Sequence, residues 1–292
     1  MSFSWLAKSS DLRMRFGVLG RIRLHPLFVL LALLAVGVGL WRELVVLFLL
    51  VMLHELGHAA VATHYGYEVE EVSLLPFGGV ASISYGSIGF SPRHEGAIAI
   101  AGPLVNLALV VLALVLGGVG IWPVSFVHQV TQLNVWIAVF NLLPGLPLDG
   151  GRVLRAARSR GLGYEAATLE AYKVSIWISV FLLGLGGVAL WSGYPHLGIL
   201  VLGAFLFISA WTGRRQMAGD TIRFLDAKRR QHAGFERPSV VRALAVGQAT
   251  RLREVVRQFA PERYHLVYVL DEAGNVQTIV EESELLEVVF AG

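Results

Sequence analysis

Residues 49–66 read LLVMLHELGHAAVATHYG, an apolar run with His54, Glu55 and His58 in its middle. An ionisable side chain at the centre of a membrane helix costs about 2.5–3.5 kcal/mol on insertion scales, so such residues usually carry function. His54 and His58 are four apart, which on a helix projects both imidazoles from one face, one turn apart. H-E-x-x-H on a helix is the pattern in which two histidines bind zinc and the glutamate acts as general base. The spacing therefore predicts a helical metal site with Glu55 as the base.

The rest of the chain has the composition of a membrane protein. Of its 292 residues, 55% are hydrophobic and 15% charged, against roughly 25% charged in soluble domains, and the mean hydropathy is +0.63. Six apolar spans are expected, at 26–41, 43–63, 96–119, 126–147, 174–192 and 196–213, near the ~20 residues a bilayer requires. Basic clusters precede the first span (Lys8, Arg13, Arg15, Arg21, Arg23), follow the fourth (Arg152, Arg155, Arg158, Arg160, Lys173) and follow the sixth (Arg214, Arg215). Six crossings place all three on one side, so both termini are expected in the cytosol. The net charge of +3 thus belongs to span flanks and not to a groove-binding face, and nucleic-acid binding is not expected. The absence of cysteine excludes disulfides and thiolate zinc sites. The first twenty-four residues have no apolar core beside a small-residue cleavage site and do not read as a signal peptide.

A catalytic zinc usually takes three protein ligands and keeps a fourth position for water, so a third ligand is owed. Asp149, in NLLPGLPLDGGR (141–152) at the cytosolic end of the fourth span, is the best candidate, because the second span runs inward and brings His54 and His58 to the same depth. From the residues alone, Asn141 could simply cap a broken helix. His25, His64, His94 and His128 read as interfacial or loop residues, and IAGPLVN (100–106) as close helix packing through small residues. Between the second and third spans, YEVEEVSLLPFGGVASISYG (67–86) reads as a β-hairpin or re-entrant loop on the cytosolic side, able to pair with an extended substrate.

After Arg215 the composition changes. Residues 216–237 form a polar, basic helical linker expected near anionic lipid headgroups. Residues 238–292 are a small α+β module: a helix in TRLREVVRQFA, strands in YHLVYVL and VQTIV, and a helix in SELLEVVF.

At HELGH and NLLPGLPLDGG the chain resembles the site-2 protease family of intramembrane zinc metalloproteases. The resemblance implies His54, His58 and Asp149 as zinc ligands, Glu55 as the catalytic glutamate, and Asn141 as a residue beside the active site that helps hold substrate or the transition state. The segments LHPLFVL, HELGHAA, LLPFGGV, AGPL and NLLPGLPLDGGR are similar, in the same order, to the sporulation subgroup of that family. Its domain order is matched as well: a transmembrane protease domain at 1–215, a linker at 216–237 and a single cystathionine-β-synthase (CBS)-like domain at 238–292. By the same resemblance the substrate is the pro-sequence of the sporulation sigma-K precursor, cleaved at the mother-cell membrane surrounding the forespore. It also implies inhibitory membrane partners and ATP at the CBS-like domain. CBS repeats work in pairs, so a lone repeat implies a homo-oligomer. The outward connections are too short for the PDZ insertions of the anti-sigma-cleaving branch. Two other readings are a membrane zinc transporter, which should show internal repeats and broken polar helices, and a noncatalytic zinc scaffold, which would have no need of Glu55.

Overall fold

The helices of this chain bury their small polar side chains and expose their large apolar ones. Asn106, Asn134, Thr168, Ser175 and Ser179 are fully buried, while Trp177 is 75% and Trp191 94% exposed. In water an apolar surface of that extent would be an aggregation site; in a bilayer it faces lipid, and the polar groups must bond within the protein. They do. Thr168 Oγ1 donates to the Tyr164 carbonyl, and Ser175 Oγ to the Ala171 and Leu146 carbonyls.

The computed structural model describes residues 22–24, 36–75, 78–84, 89–193, 196–232 and 240–291. The N-terminal basic residues up to Arg21, residues 26–35 of the first expected span, Pro76 and Phe77, and the end of the linker lie outside the described residues. Among the described residues, four helices are long and apolar enough to cross a membrane: α1 (Trp41–His64), α2 (Pro92–Gly118), α5 (Tyr164–Trp191) and the membrane part of α6 (Leu197–His232). The span expected at 126–147 corresponds to α3 (Val124–Asn141). This helix falls outside the set of four because Gln129, Gln132 and Asn134 interrupt it, and it ends six residues early. A turn carrying Pro144 and Pro147 follows, and Asp149 then begins a short helix of its own, α4 (Asp149–Leu162).

The hairpin expectation is met by β2 (Glu68–Leu75) and β3 (Gly78–Ser84), antiparallel with Val72 opposite Ala81. A short β1 (Ile22–Leu24) lies parallel to β2, giving the order β1-β2-β3, with β3 at an edge among the described residues.

The boundary expected after Arg215 falls inside α6, which runs unbroken for 36 residues, about 54 Å at 1.5 Å per residue. Beyond it lies a β-α-β-β-α unit. It comprises β4 (Val240–Gly247), α7 (Leu252–Val256), β5 (Arg263–Leu270), β6 (Val276–Glu281) and α8 (Glu282–Ala291). β4 pairs parallel with β5, and β5 antiparallel with β6. The core of so small a unit is marginal alone. Here Val255, Val256, Phe259, Val267 and Leu286 are joined in one cluster by Phe90, Tyr164, Phe224 and Leu225 from outside the unit, so part of the missing core comes from within the same chain.

Polar contacts fasten the same junction. Gly163, at φ +89, brings its backbone so close to the unit that a Cβ would meet Gln258 O at 3.1 Å, and the Tyr164 N–H donates to Phe259 O at 3.3 Å. Glu262 sits in the left-handed region at φ 58, which costs a non-glycine residue about 1–2 kcal/mol. Its carboxylate accepts from Ser91 Oγ at 2.6 Å and Arg160 Nη2 at 2.9 Å. Lys228 of α6 donates to the buried carboxylate of Glu282 and to Arg263 O.

His265, wholly buried, completes this network. Its Nε2 accepts from the Ala260 N–H at 3.1 Å, so the proton sits on Nδ1, which donates to Glu282 Oε2 at 2.6 Å. Burial pushes His265 below its ordinary value; the bond to Glu282 opposes this, and the charges of Lys228 and Arg242 add to it. A histidine that is neutral when folded binds fewer protons than when unfolded. Stability is therefore fully present above the unfolded value near 6.5 and is lost as pH falls below it. Hydrogen exchange across residues 240–291 should show weaker protection at pH 5 than at pH 7.5, and His265→Gln should shrink that difference.

Candidate metal centre

On α1, His54, Glu55 and His58 are 2%, 4% and 2% exposed, and Asp149 from the start of α4 joins them at 6%. His54 Nε2 and His58 Nε2 are 3.1 Å apart, and each is 3.1 Å from Asp149 Oδ2. Three donor atoms thus form an equilateral triangle, with the two rings nearly perpendicular at 85°. Bonds of about 2.0–2.1 Å at tetrahedral angles separate ligand atoms by about 3.3 Å, so these residues fit a zinc ion with almost no rearrangement. The ligand atoms of His54, Glu55 and His58 lie within 4.8 Å of one another, which sets the Glu55 carboxylate next to the triangle.

The proton positions point the same way. His58 Nδ1 lies 2.7 Å from Ile98 O. A backbone carbonyl only accepts, so Nδ1 carries a proton, and it is Nε2 that faces the His54–Asp149 pair as the ligand atom. The Asp149 carboxylate oxygen that faces Nε2 has no proton to donate, and two imidazole nitrogens with one carboxylate oxygen are a donor set that suits a zinc ion. His54 Nδ1 faces Asn106 Oδ1 at 2.5 Å. Asn106 Nδ2 reaches Asn134 Oδ1 at 2.7 Å, and Asn134 Nδ2 reaches Val130 O at 2.8 Å.

Glycines bring these elements close enough. A Cβ on Gly102 of α2 would lie 2.3 Å from His58 Nε2 and 2.6 Å from His54 Cε1. A Cβ on Gly57 would meet Val105 Cγ2 at 2.7 Å, so α1 and α2 pack at near-backbone distance. Gly150 and Gly151 seat the first turn of α4 on the 142–146 turn: a Cβ at Gly150 would come within 2.2 Å of Leu142 O, and one at Gly151 within 2.2 Å of Leu146 N. That contact holds Asp149 at its depth. Arg152 Nη1, one turn along, is 3.9 Å from Asp149 Oδ1.

The structure thus assembles His54, His58 and Asp149, with Glu55 adjacent. Asn141 is placed differently: it is the last residue of α3, and its amide donates to Ile137 O of the same helix at 3.0 Å. The sequence reading missed Gly102, Asn106 and Asn134. A signal for them existed, since Gly102 and Asn106 are one turn apart on one face and a buried asparagine in an apolar helix needs a bonding partner.

The model of Peptidase family M50 matches residues 43–123 and 119–185. The chain belongs to that family, the site-2 proteases, and is a zinc metalloprotease of the membrane. It is 31% identical over 277 residues to Stage IV sporulation protein FB of Bacillus subtilis, covering 93% of this chain and 92% of that one. It is also 31% identical over 211 residues to a zinc metalloprotease of Methanocaldococcus jannaschii, covering 69% of this chain and 60% of that protein. Among solved structures, the site-2 protease of the same archaeon superposes with a TM-score of 0.56 at 30% identity, over 66% of this chain and 90% of that one.

Gly102→Ala should push the imidazoles out of register and sharply lower the zinc content of the purified protein. Gly118→Ala, on the same helix with nothing within 4 Å of its Cβ, should leave the zinc content unchanged. Equal zinc in the two variants would show that the centre tolerates displacement of the histidines.

Proposed function

We propose that His54, His58 and Asp149 hold the zinc of this protease, that Glu55 is its general base, and that the substrate is the pro-sequence of a sporulation sigma-K precursor. The observation that carries the site is the triangle of acceptor atoms, 3.1 Å on each side, with Glu55 beside it. Zinc, when bound, lowers the pKa of water toward about 7 and polarises the scissile carbonyl. Glu55 takes a proton from the attacking water onto its carboxylate as the new C–O bond forms. It returns that proton to the amine nitrogen as the C–N bond breaks. The α1–α2 packing around the site limits access of bulk water.

A peptide must be extended to be cut, because a helix hides its carbonyls in hydrogen bonds. β3 pairs with β2 alone among the described residues, so its outer edge from Gly78 to Ser84 is a backbone template for strand addition. By the resemblance, Asn141 would help hold the substrate or the transition state. Its amide is bonded to Ile137 O, so that role requires the side chain to turn away from its own helix.

The choice of sigma-K precursor rests on the resemblance to the sporulation subgroup along nearly the whole chain. So do the mother-cell membrane around the forespore, the inhibitory membrane partners and ATP at the terminal unit, read as a CBS-like domain, whereas the cytosolic termini rest on the basic flanks of the spans. Self-association has separate support in Val241 and Ile279, exposed on the sheet of that unit, which a second copy could cover.

Purified protein incubated with the sigma-K precursor should yield one new N-terminus. Glu55→Gln should abolish that cleavage while retaining zinc, and Asp149→Ala should weaken zinc retention. Cleavage by Glu55→Gln at the natural rate would remove Glu55 from the chemistry.

A further inference from the structure

The amide chain behind His54 has a direction, and the direction is set from its far end. Val130 offers a backbone carbonyl, which can only accept, so the Asn134 group facing it at 2.8 Å is the NH2. The Asn134 oxygen then faces Asn106, which must present its own NH2 across the 2.7 Å contact. That turns the Asn106 oxygen toward His54 Nδ1. An oxygen there requires the imidazole proton on Nδ1 and leaves the Nε2 lone pair directed at Asp149 Oδ2 and His58 Nε2.

We propose that Asn106 and Asn134 are positioning residues that fix His54 in its Nδ1–H tautomer and so keep Nε2 available to the metal. The proposal rests on the reading of His54, His58 and Asp149 as the zinc ligands. The order originates at a carbonyl of α3, a helix that carries none of those three residues, and is relayed through α2 to α1.

Three features make this more than the satisfaction of buried amides. Asn106 and Asn134 are both fully buried, so water does not substitute for either partner. Each amide spends its oxygen in the direction away from Val130 and its NH2 toward it, and a reversal at any link would set two donors or two acceptors face to face. His58 reaches the same tautomer through one carbonyl, Ile98, so both histidines are set alike by different means. A partner on the distal nitrogen of a metal-bound histidine fixes ring and tautomer, and its loss typically costs about 10–100-fold in metal affinity.

The test uses the full-length chain in detergent, labelled with 15N-histidine, first stripped by a chelator and then titrated with zinc against a competing chelator. The His54 signal is identified by its disappearance in His54→Gln. In the metal-free natural chain the His54 nitrogens should report a proton on Nδ1. Asn106→Leu and Asn134→Leu should mix the tautomers and weaken zinc binding by about 10–100-fold. Asn106→Asp keeps an oxygen acceptor for Nδ1 but sets its second oxygen against Asn134 Oδ1, so it should restore the tautomer and only part of the affinity. If the natural chain bound no zinc, the ligand assignment would fail, while the tautomer readout on the metal-free protein would still decide the relay. An unchanged His54 tautomer in both leucine variants, with or without a loss of zinc, would overturn the proposal.

Discussion

Four ionisable groups, two imidazoles and two carboxylates, lie together inside an apolar helical protein, and the membrane core is arranged around the cost of keeping them there. None of His54, Glu55, His58 and Asp149 has bulk water to solvate it, so each must be met by another group in the protein or by a bound cation. This explains why α1 and α2 approach at glycine distance, why α4 begins with two glycines against a proline-bearing turn, and why asparagines stand in helices that otherwise face lipid. The glycines fix where the groups sit, and the asparagines and carbonyls face the distal nitrogens of the two imidazoles.

Much of this was legible in the sequence because it follows from spacing. His54 and His58 share a face by helical geometry alone, and Asp149 was found by matching its depth to theirs. The hairpin and the helix–strand–strand–helix order of the terminal unit carried their own turn and periodicity signals. What escaped notice had a local signal too weak to single it out. Gly102 and Asn106 lie in a stretch of small residues that any packed membrane helix could show, and their partners are 44 and 52 positions away in sequence, at His58 and His54. β4 was missed because it pairs in parallel with β5 across a helix, which leaves no hairpin signature. The division after Arg215 was drawn from a change in polarity, but arginine, glutamine and lysine continue a helix as readily as leucine does.

The terminal unit engages the protease domain at a telling place. Its contacts through Glu262 to Arg160 and through Phe259 to Tyr164 fall at the far end of α4 and the start of α5, and α4 is the helix whose first residue is Asp149. Arg155, midway along it, is paired with the buried Glu95 of α2 and packs over the rings of Phe90 and Tyr164. A helix of 14 residues anchored at its middle and at both ends has little freedom to shift the carboxylate it carries.

The unbroken α6 makes the thickness of the bilayer a mechanical quantity for this protein. Lys228, its anchor in the terminal unit, is 31 residues beyond Leu197, or about 46 Å along the axis. Helices meet a change in hydrocarbon thickness by tilting, and over that arm a tilt of about 5° carries the tip sideways by about 4 Å. The Ser91–Glu262 and Arg160–Glu262 bonds span less than 3 Å, so a swing of that size, if the unit moved with the helix, would part them. A rod that crosses the lipid and ends in a docked domain leaves no hinge between the membrane and the junction.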